Sequence, residues 1–308
     1  MASSPPPVLS AAKAISGAAF VTLLLIALMM GANHVAARIA FNNGVDVATA
    51  VVFRSLVTAL FVAVIVLVQG VAIRLGPRHK PMLLAIGLII GVQSLCLYSA
   101  VARLPVALAL LAFNTYPIWA ALLAWVMYRQ RPERAMLLAM PVILLGLALA
   151  LDVLGATSGL GASGQWSRIG AGVAFALAAA GSFGLALVLT QHEVAAVDGR
   201  VRTAITMTVT GLVGLVMVVG QGGFQLPQAA AGWGGLVALT FLYGTAFTIL
   251  FTVLPKLGVV GNSAIMNVEP VFALVLAWLI LGQTIAPVQV GGALLVVGAV
   301  VMLGLRKR

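Results

Sequence analysis

Three charged side chains, Arg38, Arg54 and Glu269, stand inside long stretches that are otherwise apolar. At membrane depth an ionised group costs about 2.5 to 3.5 kcal/mol to insert, so each such residue is a candidate for function. Glu269 follows Asn267 and precedes Pro270. The proline has no N–H and its ring disturbs the preceding turn, which frees backbone carbonyls beside the carboxylate and suits the place to a cation. Three roles are open to Glu269: contact with a substrate ammonium, a protonation site, or a structural ion pair with Arg54 or a helix-capping contact. Arg54, two turns beyond the N-cap region at Asp46, is either a structural partner for Glu269 and loosened carbonyls or a planar receptor for a carboxylate. Arg38, nearer the end of its helix, is expected to snorkel to the interface. His34, beside Asn33, is a hydrogen-bonded packing residue or a proton relay.

Aromatic residues stand where a solute with an apolar side chain could use them: Tyr98, Tyr116, Trp119, Tyr243 and Phe247. Packing and interface anchoring are the ordinary roles of membrane aromatics, and Trp125 and Trp278 read best as anchors. With Asn33, Asn114 and Asn267 these groups suit a zwitterion. Arg54, His34 and Asn33 offer donors to a carboxylate, while Glu269 and the carbonyls near Pro117 and Pro270 offer acceptors to an ammonium. Catalytic and metal chemistry finds little support. His192-Glu193 stands alone at a loop, the six acids are dispersed, and Cys96 is the single cysteine, so no metal site, no cofactor and no enzymatic activity are expected. Gly159-x-Gly161-x-x-Gly164 matches a dinucleotide fingerprint literally but lacks its strand and βαβ unit, and its composition suits a linker. No phosphate loop is present, so ATP is not expected to drive the chain.

The elements that would position these residues are written twice. Asn114-x-x-Pro117-x7-Trp125 returns 153 positions later as Asn267-x-x-Pro270-x7-Trp278, with Leu104/Leu257, Val106/Val259, Ala120/Ala273, Leu123/Leu276 and Ala124/Ala277 in the same register. Over 308 residues, 63% are hydrophobic and 7% charged, and the mean hydropathy is +1.18. That leaves too little polar surface for a soluble globule, so lipid is the expected solvent. The apolar runs predict an all-α integral membrane protein of ten transmembrane helices, five in each repeat, and an odd number of crossings inverts the second repeat relative to the first. Residues 1–154 form the first repeat, 155–167 a linker and 168–308 the second. With the N-terminus inside, the inner face receives Lys13, Arg74, Arg78, Lys80, Arg129, Arg131, Arg134, Arg200, Arg202, Lys256, Arg306, Lys307 and Arg308, which places both termini in the cytoplasm. The net charge of +11 is thereby explained without a nucleic-acid partner, because the basic residues are scattered over short loops.

The helix-1 segment Gly31-Ala-Asn33-His-Val-Ala-Ala-Arg38, the embedded Arg54, and the paired Pro117 and Glu269-Pro270 helices ending in Ala-Trp resemble the drug/metabolite transporter superfamily, EamA type, and within it the YddG-type exporters of aromatic and other amino acids. The resemblance implies helices 1 to 4 and 6 to 9 around a central cavity, supported from outside by helices 5 and 10. Where many relatives close helices 4 and 9 with Gly-Glu, this chain has Arg129-Gln130 and Gly282-Gln283. That departure removes two candidate proton carriers. The expected function is secondary export of amino acids across a bacterial inner membrane by a monomer in the lipid bilayer. Rocking between the inverted halves would be hinged near Pro105, Pro117, Gly244, Pro255 and Pro270. The rivals are an exchanger of phosphorylated solutes or nucleotide sugars in the same superfamily, and a channel or non-transporting scaffold.

Overall fold

A computed structural model of the chain describes residues 17–132, 134–252 and 268–305. These residues form eleven helices and no strand: α1 (Gly17–Asn42), α2 (Val47–Val68), α3 (His79–Arg103), α4 (Val106–Phe113), α5 (Tyr116–Tyr128), α6 (Arg134–Ala150), α7 (Gly161–Glu193), α8 (Gly199–Gly220), α9 (Ala230–Thr252), α10 (Glu269–Leu281) and α11 (Pro287–Leu305). Seven spans are long and apolar enough to cross a membrane, the run Val106–Tyr128 counting as one, and Leu137–Ala150, Glu269–Leu281 and Pro287–Met302 are shorter apolar helices. Exposed Leu, Val, Phe and Trp cover the outside, as expected where lipid replaces water. The chain is a multi-pass membrane protein.

The apolar run expected to make the fourth crossing is two helices. At the break, Asn114 donates from Nδ2 to the Leu110 carbonyl at 2.9 Å and Thr115 donates from Oγ1 to Ala112 at 2.8 Å, so side chains satisfy carbonyls that the helix has left behind. Pro117 then occupies the first turn of α5, where a missing N–H costs nothing, and Pro270 does the same for α10. Pro105 likewise precedes α4 as its cap, whereas Gly244 lies inside an unbroken α9. Pro255 and Asn267 fall outside the described residues. Both α5 and α10 end in a left-handed residue, Arg129 (φ 58°) and Gly282 (φ 63°), each followed by a glutamine whose N–H reaches back to Ala124 or Ala277.

Within residues 155–167, α7 begins at Gly161. Asp152 accepts from the N–H groups of Thr157 and Ser158, and Gln165 donates to the Leu151 carbonyl at 3.0 Å. Of the three glycines of the fingerprint-like segment, Gly159 precedes α7, Gly161 begins it and Gly164 lies in its first turn, with no strand before them among the described residues.

The helices pack in pairs that exchange when the halves are exchanged. α3 packs on α7 as α9 packs on α1, α3 on α8 as α9 on α2, and α5 on α7 as α10 on α1; α2 with α8 and α6 with α11 are their own counterparts. The α2 and α8 helices are antiparallel, since the N-cap of each meets the C-cap of the other. At one end Gln221 donates to the Asp46 carboxylate. At the other, Arg200 donates to Asp198 and to Gln69. Small residues permit these approaches: Gly211 and Gly214 face Leu56 and Val52, and Gly87 faces Val209.

Candidate functional site

The polar residues of α1, α2, α3 and α9 converge with the first residue of α10 in the middle of the bundle. Gly31 makes this possible on the α1 side, because a Cβ there would lie 3.0 Å from the Ala273 nitrogen and 3.1 Å from the Glu269 carbonyl. One turn further along α1, His34 Nε2 meets Glu269 Oε1 at 3.3 Å. The side chain that meets the Glu269 carboxylate is thus His34 and not Arg54. The two are unequally enclosed, with 6% of the histidine side chain exposed and 21% of the glutamate.

Arg54 lies buried between two tyrosine rings, its Cζ 4.0 Å from the centroid of Tyr243 and 4.8 Å from that of Tyr98. Its Nη2 donates to Ser94 Oγ at 2.6 Å, and Ser94 donates to Gln93 Oε1 at 3.3 Å. The planar cation is held by stacking and by a neutral hydroxyl, and among the described residues no carboxylate pairs with it. Tyr98 donates from its hydroxyl to Asn33 Oδ1 at 3.1 Å and presents its ring edge-on to His34, centroids 5.8 Å apart. Tyr243 in turn packs on Phe247 at 4.5 Å.

Around this arrangement several buried polar atoms have no hydrogen-bond partner among the described residues: Asn33 Nδ2, His34 Nδ1, Arg54 Nε, Ser55 Oγ and Thr58 Oγ1. Buried groups of this kind cost about 1 to 3 kcal/mol each when unpaired, so such a concentration calls for a ligand or a role. Most of them are donors or hydroxyls, which suits an anionic head group, while Glu269 is the acceptor at the opposite edge.

Other residues expected at the site lie apart from the cluster. Tyr116 packs with Phe113 and Phe183 between α5 and α7, within electrostatic range of Glu269. Trp119, 39% exposed, lies against Gly181 and Gly184 of α7. Asn114 is turned back onto its own helix as a cap. Arg38 is half-buried, and its Nη1 donates to the carbonyls of Val101 and Leu104 at 2.6 and 3.3 Å, closing the C-terminal end of α3. Ser94, Ser55 and Thr58 had not been singled out. Neutral hydroxyls on apolar helices give no charge signal, and only position points to them: Thr58 lies one turn beyond Arg54 on α2, and Ser94 one turn before Tyr98 on α3.

Among the described residues no group of three or more His, Cys, Asp or Glu gathers to hold a metal. The groups gathered here are hydrogen-bond donors and hydroxyls, one acid and aromatic faces.

The comparisons with known proteins agree on the fold. A solved crystal structure 17% identical to the chain, one of 15 matching solved chains, superposes with a TM-score of 0.61 and covers 93% of this chain and 97% of its own. No curated protein matches the sequence. The EamA-like transporter family matches twice, over residues 17–151 and 170–305, one match to each half of the duplicated sequence, and the chain therefore belongs to the EamA-like transporter family.

Proposed function

We propose that this chain is a secondary transporter that exports amino acids, aromatic ones included, across a bacterial inner membrane by alternating access. The observation that carries the reading is the pairing of a donor-rich pocket with one acid. Arg54, Asn33, Ser55 and Thr58 present unpartnered donors and hydroxyls near tyrosine faces, and Glu269 supplies the acceptor for an ammonium. A zwitterion fits both needs at once, and the rings of Tyr243 and Phe247 offer a surface to its side chain.

Ten crossings follow if α4 with α5 makes one and α10 completes another together with the residues before it. Five per repeat inverts the second half, over repeats of 1–154 and 168–308 joined by 155–167, and places both termini in the cytoplasm. The antiparallel α2 and α8, with matching caps at both ends, support that inversion. The protein acts as a monomer in the bilayer, with a small solute as its only partner and no nucleic acid. Neither a catalytic step nor a cofactor enters this cycle.

Counterflow into proteoliposomes tests the reading, with labelled phenylalanine and threonine set against a sugar phosphate. Saturable exchange of the amino acids, lost in Glu269→Gln protein that remains folded, is expected. Exchange of the phosphate compound alone would assign the chain to a carrier of phosphorylated solutes, and flux that neither saturates nor counter-exchanges would make it a channel.

A further inference from the structure

We infer that His34 and the ammonium group of the substrate take turns on the Glu269 carboxylate, so that the carrier exchanges one amino acid for one proton moving the opposite way. The inference rests on the reading above that an amine-bearing solute occupies the central cluster.

Glu269 is the only acid of the chain that the sequence places within an apolar span. Asp46, Asp152, Glu193 and Asp198 lie at helix ends or in loops. Among the described residues an ammonium at the site has no other carboxylate to use, and Glu269 already faces His34 Nε2 at 3.3 Å. The exposures indicate which member a solute reaches first: Glu269 keeps 21% of its side chain open, and His34, at 6%, lies behind it.

The histidine is held on one side only. A histidine whose tautomer is fixed for structure donates its second ring nitrogen to a carbonyl or carboxylate, whereas His34 Nδ1 is buried with no partner among the described residues. The polar contact that holds the ring is therefore the one from Nε2 to the Glu269 carboxylate. Among the described residues Tyr98 from α3 meets the His34 ring, Tyr116 from α5 and Tyr243 from α9 lie within electrostatic range of Glu269, Arg54 from α2 stacks on Tyr98 and Tyr243, and α4 carries no ionisable side chain. Among these the one permanent charge is the guanidinium, which disfavours a second cation in the cluster.

The cycle balances. In the empty carrier, imidazolium at His34 neutralises Glu269. A substrate ammonium entering from the cytoplasm takes over the carboxylate, and the Nε2 proton leaves to water on that same side, with Glu269 ionised throughout. The loaded carrier reopens outward, the ammonium departs, and His34 takes a proton from the outer water before the empty carrier returns. One zwitterion leaves and one proton enters, and one positive charge moves inward per turn. Reciprocity requires that whatever loosens the proton when the amine binds also loosens the amine when the proton binds.

Proteoliposomes holding the full chain separate this inference from the reading it rests on. Counterflow of labelled phenylalanine at equal pH reports the carrier. Uptake against a gradient of about one pH unit, with the membrane potential clamped, reports the coupling. Wild-type protein is expected to accumulate phenylalanine about tenfold on the acidic side while a trapped pH dye records the opposing proton flux. Phenylpropanoate, which has the carboxylate and ring without the amine, is expected to move neither label nor protons. In His34→Gln the accumulation ratio should fall to about 1 whatever the remaining exchange rate. Counterflow with an accumulation ratio of 1 in the wild-type protein overturns the coupling and leaves the carrier intact. Full accumulation by His34→Gln keeps the coupling but takes the proton away from His34, which overturns the inference. Absence of any amino-acid counterflow overturns both.

Discussion

Gly31 and Gly184 occupy the same place in the two halves: each lies 153 residues from the other, and each lets its helix touch the backbone of an alanine, Ala273 and Ala120, that are themselves 153 residues apart. The contact crosses between halves in both cases, α1 of the first against α10 of the second and α7 of the second against α5 of the first. The two crossings differ in tightness. A Cβ on Gly31 would meet the Ala273 nitrogen at 3.0 Å, and one on Gly184 would meet the Ala120 nitrogen at 2.8 Å and the Trp119 Cβ at 3.0 Å. Gly184→Ala is therefore expected to destabilise the protein by about 1 to 3 kcal/mol and Gly31→Ala by less, since overpacking against backbone has no flexible side chain to give way. Thermal unfolding in detergent gives the order, and an equal or reversed effect would contradict the geometry.

Arg129 carries strain that its counterpart avoids. It closes α5 in the left-handed region at φ 58°, where Gly282 closes α10 at φ 63°. A residue with a Cβ costs about 1 to 2 kcal/mol more than glycine in that conformation. Arg129→Gly is expected to raise the unfolding midpoint of the purified protein, and Gly282→Ala to lower it. Arg129→Ala serves as the control for the lost charge and should bring no gain.

Arg54 holds its place by shape as much as by charge. Its guanidinium is sandwiched between Tyr98 and Tyr243 and its Nη2 donates to Ser94, while Nε stays free for a ligand. A lysine keeps the charge but cannot stack on two faces and hold the serine together. Arg54→Lys is expected to weaken phenylalanine exchange by at least about tenfold in half-saturating concentration, corresponding to roughly 1.4 kcal/mol. Tyr243→Leu, which removes the nearer ring, should give a smaller shift in the same direction. Unchanged half-saturation in both variants would make Arg54 a packing residue.

Much of the site was legible because charge inside an apolar run is conspicuous: Arg54, Glu269 and His34 stand out from single residues and do converge. Their partners were not legible. Whether Glu269 meets Arg54 or His34 depends on how closely α1 approaches α10, which Gly31 decides through a contact between residues more than two hundred positions apart. The break before Pro117 was readable as chain chemistry, since proline cannot continue the ladder, but the role of Asn114 as the cap of that break depends on which way its amide turns. The glycines after Leu154 signalled a loop, and the carboxylate of Asp152 and the amide of Gln165 instead organise a turn that leads directly into α7.

The ends of α2 and α8 provide a test of inversion that does not depend on substrate. Asp46 and Gln221 meet at one end of the antiparallel pair, and Asp198, Arg200 and Gln69 at the other. If the repeats are inverted with both termini inside, a cysteine at Gln221 is labelled by an impermeant reagent from outside and one at Gln69 only from inside. Labelling of both from one side would remove the inverted topology. The Asp198 cluster also has a defined acid limit. Hydrogen bonds from the Arg200 guanidinium hold the Asp198 carboxyl below the ordinary carboxylate range. A depressed folded-state pKa means that the stabilisation is complete above the unfolded value, about 4, and is lost as pH falls through the folded one. Stability from this contact should thus be flat from neutral pH down to about pH 5 and decline below about pH 4, and Asp198→Asn should flatten that decline. Because the carboxylate is only partly enclosed, the effect is expected to be about 1 kcal/mol or less, readable as the difference between the two pH profiles of unfolding.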